Sequence, residues 1–119
     1  MTQENQVPET EVCYGKIYRP ERAVKIIKKD GSREEFNVQK VIDAVGKSAY
    51  RALTSFTEEE KRQICRHVVN KVDELGYDEV PIAMMHNIVE SALEQVKPIV
   101  AKSYRDYRNY KQDFVRMLD

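Results

Sequence analysis

The stretch AVKIIKKDGSREEFNVQKVIDAV, Ala23 through Val45, decides the fold. Two β-prone runs, AVKIIKK and SREEF, flank Asp30-Gly31, and a two-residue Asp-Gly loop between such runs is the strongest short hairpin signal. A β-hairpin is therefore predicted from about Val24 to Phe36. The period then changes. Asn37 is a good N-cap, and Val38, Val41, Ile42, Val45, Ala49 and Ala52 recur at helical spacing, which predicts a helix to about Leu53.

Downstream, FTEEEK places Thr57 three residues before Glu60, a capping box, ahead of Ile64, Val68, Val72 and Leu75. This second helix should stop near Gly76. YDEVP reads as a connector with room for a short strand, and Pro81 suits the first turn of a third helix carrying Ile82, Met85, Ile88, Val89, Ala92, Leu93 and Val96. Pro98 breaks that run and opens a fourth helix, whose stripe is Val100, Tyr104, Tyr107, Phe114 and Leu118. Upstream, residues 1–22 are polar, carry Pro8 and Pro20 and have no sustained period. They read as a tail, with VCYGKIY as a short extended segment. The expected fold class is α+β, a small two- or three-stranded sheet capping a four-helix bundle, with the domain over residues 23–119. The fourth helix ends without a C-cap signal, which points to a fragment of a longer chain.

With 119 residues and 41% hydrophobic content, one core is expected and two domains are not. Twenty basic residues balance twenty acidic ones, so no global field draws the chain to nucleic acid or to an anionic membrane. Any anion site must be local. Cys13, Cys65 and the two histidines form none of the short paired spacings of zinc sites, so reduced thiols and no metal are expected. No apolar run approaches the roughly 20 residues of a membrane helix, and MTQENQVPETE lacks the regions of a signal peptide. These features predict a cytoplasmic protein.

Local charge is concentrated around the hairpin. Lys28 and Lys29 are neighbours on a strand and should point to opposite faces. Asn37 opens the following helix with Lys40 three residues on, and a helix N-terminus beside a lysine favours an anion through free N–H groups and the macrodipole. Convergence of these lysines would suit a triphosphate. Glu34 and Glu35 fit only if one of them faces a base and accepts a hydrogen bond from an exocyclic amine such as adenine N6. The competing reading is a solvated hairpin tip with Asn37 as a plain cap.

VKIIKKDGSREEFNVQKVIDAV resembles the opening of the ATP-cone domain, the adenine-nucleotide module at the N-terminus of many ribonucleotide reductases. The matching positions are Val24, Lys28, Lys29, Asp30, Gly31, Glu34, Asn37 and Lys40. VPIAMMHNIVESALEQ is similar to the family's third helix and VAKSYRDYRNYK to its closing Ala-x-x-Tyr-x-x-Tyr-Arg element, so the likeness spans roughly Val24 to Lys111. The resemblance implies an allosteric domain binding ATP or dATP, with Mg2+, to set overall reductase activity. It implies phosphate contacts from Lys28, Lys29 and Lys40, adenine reading by Glu34 and Asn37, and His86 near the phosphates or sugar. Arg108 and Lys111 are further phosphate candidates. Lys29 stands where arginine is frequent, which keeps the charge and loses a bidentate fork. YRNYKQDFVRMLD looks most like the lead into the anaerobic reductase class. Implied partners are the adenine nucleotides, the catalytic domain of the parent reductase and a second copy of the cone, with no direct nucleic acid.

Other residues take plainer readings. His86 lies at the edge of an apolar stripe, where a core-edge histidine with one hydrogen bond competes with the ligand role. His67 reads as surface or boundary, while Cys65, Met84 and Met85 read as packing. Tyr104 and Tyr107 read as core, and Tyr110 falls off their stripe. No Ser/His/Asp or Cys/His constellation and no Gly-rich phosphate loop appears, so the domain by itself is expected to be non-catalytic. Two alternatives stand beside the reductase reading. One is a degenerate cone acting as a helical interaction module. The other is a transcriptional repressor of reductase genes, a class that carries a four-cysteine zinc ribbon upstream, where this chain has only Cys13.

Overall fold

The computed structural model describes residues 13–118, with side chains for 13–108. In chain order the elements are α1 (Tyr14–Ile17), β1 (Lys25–Ile27), β2 (Arg33–Glu35), α2 (Val38–Arg51), α3 (Glu58–Leu75), β3 (Glu79–Pro81), α4 (Ile82–Val96) and α5 (Pro98–Leu118). The fold is α+β, with a three-stranded sheet of order β2-β1-β3. β1 pairs antiparallel with β2 and parallel with β3, so the chain returns to the sheet only after passing through α2 and α3.

The hairpin differs from the predicted two-residue loop. The Lys28 N–H donates to the Ser32 carbonyl at 2.8 Å and the Gly31 N–H to the Lys28 carbonyl at 2.9 Å. The loop is thus Lys29-Asp30-Gly31, with Gly31 at φ +89, the three-residue hairpin in which a glycine takes the left-handed position. Asp30 accepts from the Ser32 hydroxyl and then its backbone N–H, and these bonds hold its carboxyl below the usual range. Lys28 and Lys29 therefore lie beyond β1, on the turn, rather than on a strand.

The helices begin where the capping signals place them. The Asn37 side chain accepts from the Gln39 N–H, and Thr57 and Glu60 form a reciprocal capping box, so two N–H groups that lack helical partners are satisfied. Pro81 is the N-cap of α4 rather than its first residue. α2 packs on α3 and α5, and α4 packs on α3 and α5, so each of the four longer helices touches two others. Their apolar stripes meet in one core that includes Val38, Val45, Ile64, Val68, Leu93 and Val100. Cys65 lies within it, and burial pushes its thiol up to about 12. Among the described residues no helix is long and apolar enough to cross a membrane.

Two sequence readings are corrected. VCYGKIY is not extended: Tyr14–Ile17 is a helical turn whose Tyr14 ring is buried against the body of the protein. Tyr107 is not core, being 40% exposed with the Arg51 guanidinium stacked 3.7 Å from its ring centre. Phe114, Tyr110 and Leu118 lie outside the described side chains.

Candidate functional site

The sheet's register sets the site. Directly paired residues share a face, and Glu34, Ile26 and Val80 form one row across β2, β1 and β3. Ile26 and Val80 are buried, so this row faces the helices. A carboxylate has thus been placed in a row whose other members are core. Glu34 is answered by two cations: Lys40 on the first turn of α2, with Nζ 2.8 Å from its carboxylate, and Lys28 on the hairpin turn at 3.5 Å. Its pKa is lowered, first by the Lys40 hydrogen bond and then, against a desolvation effect, by the charges of Lys40 and Lys28.

Lys29, next in the chain, belongs to a second group. His86 on α4 is half-buried and meets the Tyr104 ring of α5 edge-on, with centroids 6.1 Å apart. Burial lowers the His86 pKa, and the nearby positive charges of Arg108 and Lys29 lower it further, while Glu90 opposes them. Arg108 reaches Glu90 at 3.8 Å, and Arg105 reaches it at 3.2 Å. Burial also pushes the Tyr104 phenol up to about 12. The two groups place Lys28, Lys29, Lys40 and Arg108 around the junction of hairpin, α2, α4 and α5, against the carboxylates Glu34 and Glu90.

Of the residues singled out in the sequence, Lys28 and Lys40 each contact Glu34 directly, and Lys29, His86 and Arg108 form the adjacent electrostatic group. Asn37 adjoins them in sequence, but its side chain acts as the helix cap: Oδ1 accepts from the Gln39 N–H at 2.9 Å. That leaves its Nδ2 as the donating end. The Lys111 side chain lies outside the described residues. Glu90 and Tyr104 were not anticipated as site residues. The signal for Glu90 was its place one turn after His86, and that for Arg105 and Arg108 was their i, i+3 spacing on α5, which lets both reach one carboxylate.

What this arrangement offers is a local concentration of cations suited to an anionic ligand. Lys28 and Lys40 flank Glu34 beside the start of α2, and His86 sits in the field of Lys29 and Arg108. The fold and the sequence together are those of a nucleotide-binding regulatory domain. The chain belongs to the ATP-cone family: the ATP cone domain model matches residues 24–113. Relatives include the anaerobic ribonucleoside-triphosphate reductase of Haemophilus influenzae, 36% identical over 85 residues, which cover 71% of this chain and 12% of that enzyme. The transcriptional repressor NrdR of Limosilactobacillus fermentum is 34% identical over 88 residues, 71% of this chain and 57% of the repressor. NrdR of Thermosipho melanesiensis is 30% identical over 108 residues, 84% of this chain and 70% of the repressor. The chain therefore spans about an eighth of the reductase and little more than half of the first repressor.

Proposed function

We propose that this chain is an adenine-nucleotide sensor that governs ribonucleotide reduction as the regulatory domain of a cytoplasmic reductase. The observation that carries the reading is Glu34, a carboxylate in a core-facing row held by Lys28 and Lys40. A merely structural sheet would gain more from an apolar residue there, since an ion pair so placed contributes little net stability. An arriving Mg2+-bound triphosphate supplies the lysines with a stronger partner. Lys28, Lys29 and Lys40 take the phosphates, with Arg108 and Lys111 from α5, and His86 stands beside the phosphates or sugar. The released Glu34 accepts from adenine N6, and Asn37 donates to the ring.

ATP and dATP differ by one hydroxyl, so any difference in output arises from unequal contacts in two states of the domain and its catalytic partner. Isothermal titration of the chain with ATP, dATP and GTP in magnesium buffer tests the reading. Saturable binding of both adenine nucleotides, with GTP far weaker, is expected. Absence of binding by either adenine nucleotide sinks it.

A repressor setting is the second reading, favoured by the alignment with the Thermosipho melanesiensis repressor over 84% of this chain, beyond the share matched by the reductase. In that setting the nucleotide would modulate DNA binding by the whole protein. A gel shift of the full-length protein on duplex DNA from reductase promoters separates the two: a tight, sequence-specific shift establishes the repressor, and its absence leaves the reductase reading.

A further inference from the structure

The α1 turn precedes the matched residues 24–113, yet it is tied to the start of the site. The Tyr14 N–H donates to the Gln39 side-chain carbonyl at 3.0 Å, and its hydroxyl donates to Glu58 at 2.7 Å, joining the first turns of α2 and α3. Further along, the Glu21 N–H donates to Asp73 and Arg22 pairs with Asp78, which fastens the segment at the opposite end of α3. Between these anchors the segment and the hairpin enclose a cleft of about 470 Å³ that reaches Asn37.

Gly15 makes the closest approach. A Cβ on it would overlap Asn37 Oδ1 and touch the amide carbon at 3.0 Å. Glycine is a poor helix former, about 1 kcal/mol below alanine, and its presence in this turn is explained by the Asn37 amide, which occupies the space a Cβ would need. The Asn37 amide is thus held by the Gln39 N–H through Oδ1 and lies against Gly15.

We propose that Tyr14 and Gly15 are positioning residues of the nucleotide site: Gly15 leaves the space that the Asn37 amide occupies, and Tyr14, through Gln39, holds the first turn of α2 from which Lys40 projects. Effector affinity then depends on a segment outside the family-defining residues. This rests on the nucleotide reading above.

The test is calorimetry with ATP and GTP on the 119-residue chain, comparing the parent, Gly15→Ala, Asn37→Gly and the double variant, with circular dichroism reporting the fold. Gly15→Ala should weaken ATP at least tenfold and reduce the preference for ATP over GTP, a change in selectivity that lost stability alone would not produce. In the Asn37→Gly background, where the obstructing side chain is gone and glycine still caps, adding Gly15→Ala should change ATP affinity less than twofold. An equal loss in both backgrounds, or no loss in a folded Gly15→Ala, overturns the positioning role. If Gly15→Ala does not fold, Tyr14→Phe decides. It keeps the ring and loses the bond to Glu58, and a folded variant should bind ATP at least threefold more weakly, whereas unchanged affinity overturns the proposal. A parent chain that binds neither nucleotide overturns the nucleotide reading itself, an outcome distinct from binding that ignores residue 15.

Discussion

Lys40 is where a single side chain serves both the resting structure and the proposed ligand. Its ammonium is exposed and its pair with Glu34 lies at the edge of the site, so the pair adds little to folding. Replacing it by alanine should leave the unfolding transition nearly unmoved and weaken ATP about 5- to 150-fold, the range of ~1–3 kcal/mol for one charge-assisted bond. Titration of Lys40→Ala that matches the parent refutes its role. His86 gives a pH signature. It faces Lys29 from the hairpin, Arg108 and Tyr104 from α5 and Glu90 from its own helix, and burial followed by the two cations lowers its pKa. Because the folded value lies below the unfolded one, the neutral form belongs to the native state, and its contribution to stability is lost as pH falls through the folded pKa. A bound triphosphate reverses the local field and favours the imidazolium. ATP binding should therefore take up a proton at pH values just above the depressed His86 pKa, and His86→Gln should abolish that uptake, measured as the buffer dependence of the binding enthalpy. Equal uptake in parent and variant places the proton elsewhere. Most of these residues were legible from charge beside a helix start and from the family motif. Glu90 carried only the weak signal of its place one turn after His86, because its role depends on two arginines brought to it by the packing of α5 on α4.

At the scale of elements, strong local signals matched the structure and non-local ones stayed hidden. The Thr57 capping box and the Asn37 cap are written in a few adjacent residues. α1 has no such signal, since its Tyr14 is held by Glu58, 44 residues away, whereas β3 falls within the YDEVP stretch, which reads as having room for a short strand, and is completed by a parallel pairing with β1. The loop length of the hairpin was misjudged because Asp-Gly serves both two- and three-residue turns, and here Gly31 supplies the left-handed residue of the longer one. The end of α2 falls two residues before the expected Leu53. There the Thr54 N–H donates to the Ala49 carbonyl at 2.9 Å and the Leu53 N–H to the Tyr50 carbonyl at 3.0 Å, a Schellman motif with Leu53 at φ +60. Glycine normally fills that position, and an L side chain there costs about 1–2 kcal/mol. Leu53 is 93% exposed and packs against little. Leu53→Gly should therefore stabilise the fold by about 0.5–1 kcal/mol after the entropy of the added glycine is subtracted, as read from urea midpoints at constant m-value. Thr57→Ala should act in the opposite sense by about 1 kcal/mol. A destabilised Leu53→Gly would show that the exposed leucine makes contacts that offset its backbone strain.

Over the whole molecule, the candidate site joins pieces that the core alone holds only through apolar contact. The hairpin brings Lys28 and Lys29, α2 brings Lys40, α4 brings His86 and α5 brings Arg108. The hairpin with α2 and α4 with α5 are two consecutive pairs that lie far apart in sequence, and the row that links sheet to helices contains a carboxylate where a wholly apolar row would seal the joint. A ligand seated between the hairpin and the helices would cross-link these elements. A ligand that binds only the native state stabilises it by about 2.7 kcal/mol at a hundredfold excess over its dissociation constant, which for a domain of this size corresponds to roughly 10 °C in the unfolding midpoint. Saturating Mg2+-ATP should raise the melting temperature by about that amount, and inorganic tripolyphosphate, which can engage the cations but not Glu34 or Asn37, should give a clearly smaller rise. Lys40→Ala should reduce both shifts, whereas Glu34→Gln should reduce the ATP shift and spare that of tripolyphosphate, because it exchanges a charged base acceptor for a weaker neutral one and removes one competitor for the lysines. An ATP shift equal to that of tripolyphosphate would mean that the site reads charge alone, and the adenine-sensing function would be lost with it.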